Sequence, residues 1–120
     1  MTMIKLFSIT DVPENTRKMV EVGEHQVLII HTQGKFFAVS NRCPHLRFSL
    51  RNGKVTDDGG IVCPFHHSAF DLASGDVKDW SPWPPLVGKA LGTLSREKAL
   101  PVFEVEVRDQ FLWVSDQPKA

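Results

Sequence analysis

Two short segments of the chain combine the residue types that bind zinc and iron in proteins. The first reads C-P-H at positions 43–45 and the second reads C-P-F-H at 63–66, with seventeen residues between the first histidine and the second cysteine. Each segment supplies one thiolate and one imidazole, and both are good ligands for zinc or iron. The candidate metal ligands are therefore Cys43, His45, Cys63 and His66.

Three interpretations of these four side chains are open. A single zinc ion binds two cysteines and two histidines in a tetrahedron, but its paired ligands more often have two to four residues between them, whereas the first segment has one. A two-iron cluster spreads its ligands over a larger object, and in one class of such clusters two histidines replace two cysteines on one iron. Buried cysteines that act as small apolar residues are the third alternative.

Regular elements flank the segment that holds these residues. Alternation of apolar and polar side chains, together with β-branched and aromatic residues, predicts strands near both ends of the chain. They cover residues 5–9, 17–22, 25–32, 35–40, 102–108 and 111–115. The middle, residues 41–78, is rich in Gly, Pro, Asp and Asn and predicts a set of loops on a β scaffold. A weaker helical spacing predicts a short helix over 86–94.

Length and charge limit the classes of function. With 120 residues and a formal net charge of zero, the chain predicts one domain over 1–120 without an electrostatic surface for nucleic acid or anionic membrane. The apolar run at the N-terminus is too short for a signal sequence or a membrane span, so we expect a soluble, cytoplasmic protein. Two cysteines do not make a disulfide framework.

The two segments with their neighbours resemble a known family. C-P-H-L-R-F-S-L and C-P-F-H-H-S-A-F-D-L-A-S-G, in the spacing C-x-H-x17-C-x2-H, are similar to the Rieske ferredoxins and to the Rieske domains of aromatic-ring dioxygenases. The resemblance implies an all-β fold, a Rieske-type antiparallel β-sandwich with a two-loop cluster-binding subdomain at about 41–78. It also implies one [2Fe–2S] cluster per chain. Cys43 and Cys63 would bind one iron, and His45 and His66 the other.

The same resemblance implies a function. Rieske ferredoxins carry single electrons and have no catalytic site of their own, so the expected partners are a ferredoxin reductase and a terminal oxygenase. A small or regulatory subunit of a larger reductase or oxygenase is the alternative, and a structural zinc domain is the third hypothesis. The zinc domain would be colourless and redox-inactive.

Several positions sort the chain within the family. Rieske proteins of the bc-type complexes carry an extra cysteine pair that forms a disulfide, whereas this chain has phenylalanine at 48 and 65, which matches the ferredoxin subtype. High-potential members carry a serine and a tyrosine where Ser68 and Phe70 lie here. Because hydrogen bonds to the cluster raise its potential, the missing hydroxyl at Phe70 predicts a low to intermediate reduction potential.

Other positions depart from the family pattern without a predicted role. Arg47 and His67 lie where the family commonly has glycine, so the close approach of the backbone to the cluster differs in detail. The W-S-P-W-P-P segment at 80–85 cannot form a regular helix, because its three prolines remove backbone donors. It is expected to pack beside the cluster loops.

Overall fold

The computed structural model describes residues 2–44, 49–64, 68–79 and 99–119. These residues form β-strands and one short 3-10 helix, Ile9–Asp11, and they include no α-helix. No helix in this part of the chain is long and apolar enough to cross a membrane. Every strand pair within this described part is antiparallel, and the lack of an α-helix there confirms the predicted all-β class. The helix predicted over 86–94 and the segment 80–85 lie outside the described residues.

Ten strands follow one another along the described chain. They are β1 (Met3–Ser8), β2 (Thr16–Val22), β3 (His25–Thr32), β4 (Lys35–Ser40), β5 (Lys54–Val55), β6 (Gly60–Val62), β7 (Ala69–Asp71), β8 (Val77–Asp79), β9 (Val102–Arg108) and β10 (Phe111–Pro118). The chain divides into two compact units: Met1–Ser40 with Pro101–Ala120, and Asn41–Leu100.

The first unit is a six-stranded sheet in the order β1-β10-β9-β4-β3-β2. The sheet curls, since Lys18 Nζ on the edge strand β2 lies 4.9 Å from the centre of the Phe7 ring on the other edge strand, β1. Its core consists of apolar residues from five strands, namely Val22, Val27, Ile29, Ala38, Phe103, Leu112 and Val114. Burial of this face stabilises the sheet.

Tight turns set the register of this sheet. Gln33 and Gly34 join β3 to β4, and Asp109 and Gln110 join β9 to β10, each pair with positive φ at both residues. Such turns match the right-handed twist of the strands they connect.

The segment that precedes β2 is fixed to the β3–β4 hairpin by polar side chains. His31 Nδ1 lies 2.8 Å from the carbonyl oxygen of Val12, and its Nε2 lies 2.9 Å from the Glu14 carboxylate. Glu14 in turn accepts a hydrogen bond from the backbone N–H of Gly34. His31 therefore has a structural role.

The second unit contains a four-stranded sheet in the order β5-β6-β7-β8. The prediction that 41–78 forms loops alone is therefore wrong for these strands. Each has only two or three residues, which is too short for apolar and polar positions to alternate visibly. The sheet is held by cross-strand pairs such as Ile61 with Phe70, both fully buried.

The second unit is inserted between two paired strands of the first. Val39 on β4 pairs with Val102 on β9, and the backbone N–H of Ser40 donates to the carbonyl of Pro101 at 2.8 Å. The chain therefore leaves the first sheet and re-enters it at neighbouring positions. The predicted cluster loops fall in the inserted part.

Candidate metal centre

Both cysteines lie in the second unit, and no disulfide joins them. Cys43 is 1% exposed and Cys63 is 2% exposed, so solvent does not reach either sulfur. Neither belongs to the apolar core cluster of the first unit. The sequence predicted these two residues as ligands, and the structure places each at the start of a short closed loop.

The first loop comprises residues 43–48. Its ends are closed by an antiparallel bridge between Arg42 and Ser49. Next to this bridge, the backbone N–H of Leu50 donates to the carbonyl of Asn41 at 2.7 Å. Cys43 is therefore the first residue of a loop whose two ends are hydrogen-bonded to each other.

The second loop comprises residues 63–68 and has the same length. It joins β6 to β7, where Val62 pairs with Ala69. Inside that pair, the backbone N–H of Cys63 donates to the carbonyl of Ser68 at 2.8 Å. Cys63 therefore occupies in this loop the place that Cys43 occupies in the first.

The bases of the two loops are joined through a turn and the strand β5. The N–H of Gly53 donates to the carbonyl of Leu50 at 2.8 Å, and the next residue, Lys54, pairs with Val62. Gly53 lies so close to β6 that an added Cβ would be 2.6 Å from the carbonyl oxygen of Val62. The chain that leaves the first loop thus packs against the residue that enters the second.

The arrangement of the two cysteines fits the thiolate ligands of an iron–sulfur cluster. Fe–S clusters are held by thiolates, and here two buried thiols begin two loops that share one base. The other predicted ligands, His45 and His66, lie outside the described residues, as do Arg47 and His67. The four-ligand assignment therefore stays a prediction.

A side-chain network at the base of the first loop was not predicted from the sequence. Asn41 is 3% exposed, and its Oδ1 accepts a hydrogen bond from Ser49 Oγ at 3.2 Å. The same hydroxyl oxygen accepts the backbone N–H of Arg51 at 3.2 Å. A sequence shows an asparagine two positions before a cysteine, but it does not show that a serine eight residues later will reach it.

Ser68 and Phe70, the two positions from which the reduction potential is predicted, are both buried in the second unit. Ser68 closes the second loop through its backbone carbonyl, and Phe70 lies on β7 two residues further on. Each has no solvent exposure. Both positions are therefore at or after the C-terminal end of the second loop, where a change of one hydroxyl acts without bulk water.

The end of the four-stranded sheet away from the second loop is held by charged groups. Lys78 Nζ lies 3.1 Å from the Asp58 carboxylate and 3.9 Å from that of Asp71. Burial raises the pKa of Asp71, but hydrogen bonds from Ser74 and the charge of Lys78 outweigh this effect and hold the pKa below its ordinary value. The carboxylate is therefore kept ionised, and it anchors the turn that follows β7.

Comparison with known families identifies the family to which the chain belongs. A model of the Rieske [2Fe–2S] domain matches residues 2–103 of the chain. The chain belongs to the Rieske [2Fe–2S] domain family. This membership confirms the resemblance drawn from the two Cys/His segments, and it confirms the [2Fe–2S] cluster as the cofactor of this Rieske domain.

Several curated relatives of this Rieske domain are named as ferredoxin components or subunits. The ferredoxin component of the alkene monooxygenase system of Xanthobacter autotrophicus is 32% identical over 72 residues, which cover 60% of this chain and 59% of that protein. The biphenyl dioxygenase ferredoxin subunit of a Pseudomonas species is 33% identical over 86 residues, covering 72% of this chain and 79% of the relative. The match thus spans less than two thirds of the first relative. Ferredoxins are electron carriers, in agreement with the predicted class of protein.

A solved structure has the same fold. In a complex of reduced oxygenase and oxidized ferredoxin in carbazole 1,9a-dioxygenase, one chain superposes with a TM-score of 0.76 at 27% identity. The superposition covers 98% of this Rieske domain and 96% of that chain. The predicted Rieske-type fold is confirmed by this likeness over nearly the whole length of both chains.

Proposed function

We propose that this Rieske domain carries single electrons from a ferredoxin reductase to a terminal oxygenase and has no catalytic site of its own. The observation that carries this proposal is the pair of buried thiols, Cys43 and Cys63, on two loops of equal length with a common base. The names of the relatives support the ferredoxin role. When bound, the cluster supplies reversible one-electron oxidation and reduction.

We propose that Cys43 and Cys63 hold one iron and that His45 and His66 hold the other. The protein's contribution is to keep both thiolates away from water and to fix the loops that present them. The short hydrogen bond from Cys63 N–H to the Ser68 carbonyl and the bridge from Arg42 to Ser49 support this role, because they close each loop around its cysteine.

We also propose that residues 1–120 act as a single Rieske domain in the cytoplasm. The hydrogen bond between Ser40 and Pro101 at the entry and exit of the inserted part supports one domain rather than two tandem domains. The formal net charge of zero gives no reason to add nucleic acid or membrane as partners.

The test of the proposed cofactor and carrier role is direct. Anaerobically purified protein is analysed for iron, acid-labile sulfide and zinc, and an EPR spectrum is recorded after reduction with dithionite. We expect two irons and two sulfides per chain, and a rhombic signal with the low average g of mixed nitrogen and sulfur ligation. One zinc without an EPR signal would contradict the proposal. Copurification in fixed ratio with a larger enzyme would instead make the chain a subunit.

The reduction potential is expected in the lower part of the Rieske range of about −150 to +300 mV, because Phe70 lacks the hydroxyl of high-potential members. Replacing Ser68 by alanine should lower the potential further, by about 60 mV, which corresponds to one hydrogen bond of about 1.4 kcal/mol. A potentiometric titration followed by EPR measures both values. Ser74→Ala, which removes a serine hydroxyl at the β7–β8 turn, is the control and should leave the potential unchanged. A wild-type potential among the bc-type proteins would contradict this prediction.

A further inference from the structure

The two cluster loops are closed by different means. The second loop continues a ladder of three cross-strand pairs between β6 and β7, from Gly60 with Asp71 to Val62 with Ala69. The first loop is closed by an isolated bridge pair, Arg42 with Ser49, and not by a regular strand ladder. A single bridge fixes the ends of a loop less firmly than a ladder does, since its hydrogen bonds do not form as part of a cooperative sheet.

Side chains strengthen the base of the first loop. The Ser49 hydroxyl donates to Asn41 Oδ1 and accepts the backbone N–H of Arg51, while the carbonyl of Asn41 accepts the N–H of Leu50. One hydroxyl thus ties Asn41, two residues before Cys43, to the turn that packs against β6. Because Asn41 is 3% exposed, loss of the Ser49 hydroxyl would leave a buried amide oxygen without this hydrogen bond.

We propose that Ser49 and Asn41 are positioning residues of the cluster site, which keep the first loop closed around Cys43 and so control how long the cluster is retained. The inference rests on the proposed function, since it takes Cys43 to be a ligand. Opening of the base would bring water to a thiolate that is now 1% exposed. The rate at which the cluster is lost therefore follows the rate at which this base opens.

The chain offers a matched pair of serines for the experiment. Ser74 Oγ donates to the Asp71 carboxylate at 2.9 Å and accepts the N–H of Asp76 at 3.2 Å, so it makes the same two kinds of hydrogen bond as Ser49. Both serines lie in the second unit. Ser74, however, lies in the turn after β7, at the end of the sheet away from the second loop. Ser49→Ala and Ser74→Ala thus each remove one bond donated to a side-chain oxygen and one accepted from a backbone N–H, at different distances from the loops.

Three properties of the cluster-bound (loaded) protein are measured: the rate of cluster release, the reduction potential and the temperature of thermal unfolding. Decay of the visible absorbance in the presence of an iron chelator should be about tenfold faster in Ser49→Ala than in wild type, as expected when both hydrogen bonds of the Ser49 hydroxyl are lost. The midpoint potential of Ser49→Ala should also shift. Ser74→Ala should release the cluster at the wild-type rate and keep its potential, even where its Tm falls. Ser49→Thr, which keeps a hydroxyl, should restore slow release.

A second measurement on the wild-type chain keeps the test decisive if Ser49→Ala does not fold. Hydrogen exchange of the amides of Leu50 and Arg51 should be slow in the loaded protein and at least tenfold faster once the chelator has removed the cluster, because binding and closure are thermodynamically linked. The amides of Gly75 and Asp76 serve as the internal control. Equal release rates in Ser49→Ala and Ser74→Ala, or unchanged exchange at Leu50 and Arg51, would overturn the proposal. A wild-type protein without two irons would instead overturn the proposed function.

Discussion

Replacement of Cys63 by serine is expected to abolish cluster binding, with iron and sulfide per chain falling to background. A thiolate binds iron strongly at neutral pH, whereas a serine hydroxyl stays protonated and is a poor ligand for a soft or borderline metal. The site offers no compensation from solvent, since Cys63 is 2% exposed. Cys43→Ser should give the same result, because Cys43 is equally buried at the start of the other loop. Metal analysis and the visible and EPR spectra of the purified variants measure the effect.

The control for this loss is Ser68→Ala in the same loop. Ser68 is as buried as Cys63 and its backbone carbonyl accepts the Cys63 N–H, but its side chain is not a predicted ligand. Removing its hydroxyl should lower the potential and leave two irons per chain. Circular dichroism of the first-unit strands should remain in all three variants, because that sheet has its own apolar core. Full iron content in Cys63→Ser would show that Cys63 is not a ligand.

The chemistry of the site was readable from the sequence because it depends on residue type and local spacing. Two segments of three and four residues were enough to predict the family and the cluster, and the family match confirmed both. The strands of the first unit were predicted for a similar reason. β3, for example, is long enough to show its apolar pattern, and its bounds agree with the prediction. Predictions of this kind need only residues that are close together in the sequence.

The parts that the sequence did not show depend on contacts between distant residues. β5 to β8 are too short to have a pattern of their own, and they exist because neighbouring strands supply their hydrogen bonds. β1 was predicted over 5–9, but it runs over Met3–Ser8, and a register shift between Lys5 and Phe7 changes its pairing with β10. The bond from Ser49 to Asn41 is likewise fixed only by the bridge that folding creates.

Gly53 lies where the turn after the first loop packs against β6, and its replacement is expected to have a large effect. A glycine after an asparagine predicts a turn, but the structure shows a stronger reason for its lack of a side chain. An added Cβ would lie 2.6 Å from the carbonyl oxygen of Val62, 3.1 Å from that of Leu50 and 3.2 Å from a side-chain carbon of Ile61. Two of these atoms belong to the backbone, so a change of rotamer cannot relieve the contact. The base shared by the two loops would have to move.

Gly53→Ala is therefore expected to lower the free energy of unfolding by about 2–3 kcal/mol, at the upper end of the cost of overpacking, and to lose most of the cluster. Urea unfolding and iron content per chain measure the two effects. The matched control is Gly34→Ala in the first unit, where φ is +72° but no atom lies within 4 Å of an added Cβ. That variant should lose only about 1 kcal/mol from backbone strain and should keep two irons. If Gly53→Ala kept both its stability and its cluster, the loops would not depend on a common base, because β5 could shift away from Val62 without disturbing Cys63.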